Sequence, residues 1–97
     1  SINFIRRNMP EMNWSPKAKE IFDKIINNLP QFHRSIAERL VKESAEEIAK
    51  NKNITEVQEK ELVEAFFKEI PPAFKDMMKR LFTKLNIDYE KYHISKE

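Results

Sequence analysis

Residues 13–34, NWSPKAKEIFDKIINNLPQFHR, contain the starts of two helices and the boundary between them. Ser15 offers a side-chain oxygen that can cap a helix, and Pro16 suits the first turn, where a missing N–H costs nothing. Apolar residues then recur at helical spacing. The asparagine pair at 27–28 is expected to end this helix, because asparagine tolerates the left-handed conformation that glycine usually supplies. Pro30 is expected to start the next helix.

The rest of the chain shows three further helical segments. The segment after Pro30 carries the longest apolar stripe, about five turns. A third helix is expected behind Thr55, because its spacing to Gln58 has the form of a capping box. Pro71 and Pro72 force a stop and a restart before the fourth helix. The members of the long stripe are Phe32, Ile36, Ala37, Leu40, Val41, Ala45, Ile48 and Ala49.

No segment shows the strict alternation of apolar and polar residues that is typical of a strand. We therefore predict an all-α fold, a single small domain of about four helices arranged as an irregular bundle. Residues 1–13 are expected to form a flexible N-terminal arm, and residues 14–85 the helical domain. Residues 86–97 are expected to form a C-terminal tail whose two tyrosines pack back on the domain.

Composition excludes several classes of function. The chain has 97 residues, which suits one domain, and it contains neither cysteine nor glycine. Without cysteine it has no disulfide, no thiolate zinc site and no cysteine-held iron–sulfur cluster. Without glycine it lacks the loops that cradle phosphates or dinucleotides. No apolar run approaches the roughly 20 residues that span a bilayer, so we expect a cytoplasmic protein with no membrane span.

The two histidines do not predict an active site. A catalytic imidazole needs a nucleophile or an acid partner that it orients, and no such group accompanies His33. Glu90 and His93 have the Glu-x-x-His spacing of di-metal helical bundles, but those sites need two such motifs and two further glutamates. We therefore expect no catalytic residue and no metal in this chain.

Other side chains are candidates for contact with a partner or a ligand. Met77 and Met78 suit a hydrophobic pocket, although core packing explains the same pair. Four basic residues of the last helix suit an acidic protein surface or phosphates, although a solvated helix face accounts for them as well, and a net charge of +2 is small for a nucleic-acid-binding protein. The candidate contact residues are His33, Arg39, Met77, Met78, Lys75, Lys79, Arg80 and Lys84.

The order of these features resembles a known family. Trp14 opens a short amphipathic helix, and Pro30, Phe32 and Arg34 open a longer one. Together with the Ile-Thr pair at 54–55, this order is similar to that of the small C-terminal helical domain of the B subunit of light-independent (dark-operative) protochlorophyllide reductase. The similarity covers residues 14–65 as a family-like core. Residues 71–85 are then an additional helix.

The resemblance implies an accessory domain of a nitrogenase-like oxidoreductase that helps to cover its tetrapyrrole substrate. The glycine that usually precedes the Ile-Thr pair is missing, and no α/β body that would house an iron–sulfur cluster is present in this sequence. The preferred hypothesis is therefore a non-catalytic domain that docks on a protein partner, a nitrogenase-like or related redox complex. The alternatives are a stand-alone tetrapyrrole-binding module and a weak nucleic-acid-binding protein.

Overall fold

A computed structural model describes residues 12–92 and confirms the all-α fold. Residues 1–11 of the predicted arm and His93 lie outside the described residues. The four helices are α1 (Pro16–Asn27), α2 (Gln31–Asn51), α3 (Glu59–Glu69) and α4 (Lys75–Lys84). The short elements are the strands β1 (Asn13–Trp14) and β2 (Glu56–Val57) and the 3₁₀ turns Pro72–Phe74 and Tyr89–Tyr92.

The start of α1 agrees with the prediction, whereas its end uses a different capping interaction from the one predicted. The Ser15 Oγ accepts a hydrogen bond from the Ala18 N–H at 3.1 Å, and Pro16 is the first helical residue. Asn28 was expected to be left-handed, but its φ is −94°. Its backbone N–H donates to the Ile25 carbonyl at 3.0 Å and its side-chain Nδ2 to the Lys24 carbonyl at 2.7 Å, so Asn28 satisfies two carbonyls at the end of α1.

The start of α3 differs from the prediction. The capping box is formed by Gln58 and Glu61 rather than by Thr55 and Gln58, and the Gln58 N–H donates to the Glu61 Oε1 at 3.1 Å. Val57, expected on the helix, lies in β2, which pairs in parallel with β1. The Val57 carbonyl also accepts from the Ser15 N–H at 2.9 Å. This pairing binds the start of α1 to the start of α3.

The core lies between the second half of α2 and the other three helices. The most extensive packing joins α2 and α3. Phe66 of α3 and Phe82 of α4 are both fully buried, with ring centroids 6.0 Å apart. The Tyr89 ring lies 5.5 Å from the Phe82 ring, and Tyr92 also packs against the core. The prediction that the tyrosines pack back on the domain is therefore confirmed.

Candidate functional site: an exposed apolar stripe on α2

The first half of α2 exposes three large apolar side chains along one face. Phe32 is 81% exposed, Ile36 55% and Leu40 37%. Because each is four residues from the next, they follow one another along the helix surface with a turn of only about 40° per step. We call these three residues the α2 stripe.

A second apolar face of the same helix makes the core contacts. Val41, Ala45 and Ala49 are at most 1% exposed. Ala45 lies nine residues after Ile36, which places it about 180° around the helix from the stripe. The long apolar stripe of the sequence is therefore only partly covered in the fold. Its apolar residues form one wide arc, in which Leu40 lies about 100° from Val41, and the neighbouring helices cover only part of that arc.

Charged side chains border the α2 stripe on one side. They line an open cleft of about 490 Å³ that contains two cations and three carboxylates. At the far end of this cleft the Trp14 indole Nε1 donates to the Glu46 Oε2 at 2.7 Å. The lining residues are Ser35, Glu38, Arg39, Lys42, Glu43 and Glu46.

The residues of the predicted family motif divide into two groups. Trp14 is half-buried and packs on Phe22, with ring centroids 5.1 Å apart. Arg34 donates through Nε to the Leu29 carbonyl and through Nη2 to the Asn27 carbonyl, each at 3.0 Å. These two side chains hold α1 and α2 together, so their contacts are structural.

The other motif residues lie at the exposed start of α2. Pro30 occupies the N-cap position. The Phe32 and His33 rings meet edge to face, with centroids 4.8 Å apart, and both residues are exposed. They are therefore available to a partner or a ligand.

The candidate residues of α4 do not converge on one site. Met78 is fully buried, whereas Met77 is 37% exposed, so the pair does not line a common pocket.

The four basic side chains of α4 also separate. Lys75 and Lys79 are half-buried, and Arg80 and Lys84 are exposed. Lys84 lies about 180° around the helix from Lys75, so the four do not form the continuous basic strip that phosphate binding needs.

Among residues 12–92, the most buried charged side chain belongs to a structural ion pair. Glu61 is 4% exposed, and the Lys52 Nζ donates to its Oε2 at 2.8 Å and to the Glu64 Oε1 at 2.6 Å. Burial opposes the charge of Lys52, but the two carboxylates outweigh it and raise the pKa of the ammonium group. This network connects the end of α2 to the first turn of α3.

Between residues 12 and 92 there is no group of three His, Asp or Glu side chains positioned to hold a metal ion. No helix in the same part of the chain is long and apolar enough to cross a membrane.

The sequence contained one signal for the exposed stripe. Apolar residues occur both at four-residue spacing from Phe32 and at the positions immediately following, as in the pairs 36–37 and 40–41. Such a pattern is wider than a single neighbouring helix covers.

Residues 3–95 match the model of a family described as "Protein of unknown function (DUF2621)". No curated protein and no solved structure matches the chain.

Proposed function

Since the chain belongs to the DUF2621 family, whose function is unknown, we propose a function from its surface: a non-catalytic helical domain that docks on a protein partner. The observation that carries this proposal is the exposure of the α2 stripe, in which the Phe32 side chain is 81% exposed. Complete burial of a phenylalanine, isoleucine or leucine side chain contributes about 1.5–3 kcal/mol. A partner with an apolar groove would gain that contribution.

The stripe suits the helix-in-groove mode of recognition. In that mode an amphipathic helix inserts side chains spaced by three or four residues into an apolar groove. Phe32, Ile36 and Leu40 have this spacing, and the link from Arg34 to the end of α1 fixes the direction of the helix. A helix held in its binding conformation loses little conformational freedom on association, which favours affinity.

The resemblance to the protochlorophyllide reductase domain favours a nitrogenase-like reductase or a related redox complex as the partner. Trp14 and Arg34 form the contacts that orient α2, and Phe32 is the exposed member of the same motif. In this proposal the domain supplies a docking surface and no reacting group.

Crosslinking in the native host, followed by titration of the captured protein in purified form, tests the docking role. We expect Phe32→Ser to weaken binding and raise the dissociation constant at least tenfold. Phe74→Ser is the matched control, because Phe74 is a 47% exposed aromatic residue outside the stripe. Equal binding by the wild type and Phe32→Ser would overturn the proposal.

Tetrapyrrole binding is a second candidate, favoured by the exposed Phe32–His33 ring pair. A flat macrocycle would stack on the Phe32 ring, and the His33 imidazole would offer a ligand to a central metal. Titration with heme or protochlorophyllide, followed by absorbance and Trp14 emission, tests it. We expect Phe32→Ser and His33→Ala to reduce binding, and unchanged spectra at micromolar ligand would exclude this candidate.

A further inference from the structure

We infer that residues 71–74 and the basic side chains beside them bind the surface of an anionic lipid bilayer. This surface lies outside the α2 stripe, so the inference goes beyond the proposed docking role. The apolar residues at 71–74 insert among the lipid headgroups, and cations of α4 contact the negative charges of those headgroups.

Four consecutive apolar residues are exposed in the turn before α4. They are Pro71, Pro72, Ala73 and Phe74, and we call them the 71–74 run. The Phe74 side chain is 47% exposed, and Met77, three residues later, is 37% exposed and extends the apolar surface into α4. No other run of three or more exposed apolar residues occurs between residues 12 and 92. An exposed run of this kind is typical of a binding surface.

The backbone of the 71–74 run suits a medium that offers few hydrogen-bond partners. Pro71 and Pro72 have no N–H group. The Phe74 N–H donates to the Pro71 carbonyl at 2.9 Å, and the Lys75 N–H donates to the Pro72 carbonyl. The run therefore keeps at most one N–H group that depends on water, so its transfer to a lipid interface costs little. A protein groove supplies hydrogen-bond partners of its own, and this feature therefore favours lipid.

Basic side chains accompany the 71–74 run. Residues 68–85 contain five bases and two acids. In the part of the chain that the structure describes, none of these bases forms a salt bridge. Arg80 and Lys84 are exposed and lie within about 60° of Met77 around α4, so cations border the exposed apolar surface. The bases are Lys68, Lys75, Lys79, Arg80 and Lys84, and the acids are Glu69 and Asp76.

These two features together match binding at a bilayer surface. The strength of such binding follows the buried apolar area and the attraction between cations and anionic lipids. Lipid headgroups are mobile and move to Arg80 and Lys84, so the continuous basic strip needed for a nucleic-acid backbone is not required. One aromatic side chain and a few cations give weak association, which salt reverses by screening the charges.

Sedimentation with lipid vesicles tests the inference on the intact chain. We expect at least tenfold stronger binding to vesicles with about 40% phosphatidylglycerol than to pure phosphatidylcholine vesicles. Raising NaCl from about 0.05 M to about 0.5 M should remove most of that binding. Equal binding to the two kinds of vesicle, or no binding to either, would overturn the inference.

Charge reversal on α4 tests the role of the cations. Arg80→Glu combined with Lys84→Glu should weaken binding to the anionic vesicles at least tenfold. Lys42→Glu combined with Lys50→Glu is the matched control, because it changes the net charge equally at exposed positions of α2. An equal loss in both double variants would mean that net charge alone drives binding, against the inference. Retention on polyglutamate through Arg80 and Lys84, without vesicle binding, would indicate an acidic protein partner and also overturn it.

A fluorescent label at position 73 tests insertion while Phe74 stays in place. Because the chain contains no cysteine, Ala73→Cys carries a single environment-sensitive label such as NBD. We expect its emission to become brighter and shift to the blue with anionic vesicles. The same label on Ser35→Cys, at an exposed position of α2, should not respond. Unchanged emission from position 73 in the presence of bound vesicles would contradict insertion of the run.

Two phenylalanine variants separate this inference from the docking role. Phe74→Ser should weaken vesicle binding at least fivefold and leave binding to the captured protein unchanged. Phe32→Ser should have the opposite pattern. Loss of vesicle binding in Phe32→Ser but not in Phe74→Ser would overturn the inference. Each measurement uses a different ligand, so either result can fail while the other holds.

Discussion

At the residue scale, two asparagines replace the glycines that this chain lacks. Asn53 follows the end of α2 with φ 60°, and Asn86 follows the end of α4 with φ 62°. A side chain with a Cβ atom in this region costs roughly 1–2 kcal/mol, and asparagine reduces that cost by local hydrogen bonding. The prediction that asparagine would end a helix in this conformation was wrong at 27–28, but the same device operates at these two positions.

We expect Asn53→Ala to lower the free energy of unfolding by about 1 kcal/mol, because alanine lacks asparagine's tolerance of positive φ. Asn53→Gly should leave stability unchanged or raise it slightly. Urea denaturation gives both values. Asn51→Ala is the control, since Asn51 is exposed and helical, and a loss as large at that position would contradict the explanation.

Ser44 provides a second test at this scale. It is 4% exposed, and its Oγ has no hydrogen-bond partner among the described residues. A buried hydroxyl without a partner costs roughly 1–3 kcal/mol, so Ser44→Ala should stabilise the chain. Ser35→Ala, on the exposed face of the same helix, measures the gain from helix propensity alone. A Ser44→Ala variant less stable than the wild type would show that the hydroxyl is satisfied in solution.

At the scale of the elements, Glu61 connects the start of α3 to the end of α2. Its carboxylate accepts from the Gln58 N–H and from the Lys52 ammonium group. Loss of a cap and of a charged hydrogen bond predicts that Glu61→Ala lowers the free energy of unfolding by about 2 kcal/mol. Glu64→Ala should cost less than about 1 kcal/mol, because Glu64 is more exposed and makes no cap. Thermal and urea unfolding measure the stability of both variants. Equal losses of stability in Glu61→Ala and Glu64→Ala would contradict the capping role of Glu61.

The last 3₁₀ turn gives the domain a predicted sensitivity to alkali. Burial raises the pKa of Tyr92, and the negative charges of Glu59 and other nearby carboxylates raise it further. Above pH about 10 the unfolded chain therefore loses this phenolic proton before the folded chain does, and stability falls as the pH rises. The contribution is fully present below that pH.

We therefore expect the free energies of unfolding of Tyr92→Phe and the wild type to differ less at pH 11 than at pH 8. At pH 8 the variant lacks the partly buried Tyr92 hydroxyl near Glu59, and we expect it to be the less stable protein. At pH 11 only the wild type carries the cost of keeping Tyr92 neutral in the fold. Urea midpoints at the two pH values measure this, and parallel pH profiles would contradict it.

At the scale of the whole molecule, surface and core apolar residues should respond differently to substitution. Phe32→Ser should change the melting temperature little, because the Phe32 side chain is 81% exposed. Phe66→Ala should lower the free energy of unfolding by about 3–5 kcal/mol, because the Phe66 ring is fully buried between Phe22 and Phe82. Differential scanning calorimetry measures the melting temperatures of Phe32→Ser, Phe66→Ala and the wild type. A large loss for Phe32→Ser would mean that the stripe serves the fold rather than docking.

The sequence by itself determined the number of helices and most of their limits. Caps and prolines act within about four residues of a helix end, so Ser15, Pro16 and the prolines at 71–72 carry that information locally. The resemblance placed Trp14 and Phe32 in one family motif, and His33 was a separate candidate for contact with a partner or a ligand. The local signals did not indicate that Phe32 would be exposed while Trp14 became a structural contact.

Only the tertiary structure decided which apolar surface is covered. The pairing of β1 with β2, the Trp14–Glu46 hydrogen bond and the choice of the Val41 face of α2 all join segments far apart in the chain. Burial depends on what lies opposite a side chain, and that is set by the packing of whole helices rather than by neighbouring residues. The α2 stripe remains exposed because the apolar surface of α2 is wider than the part that the domain packs against.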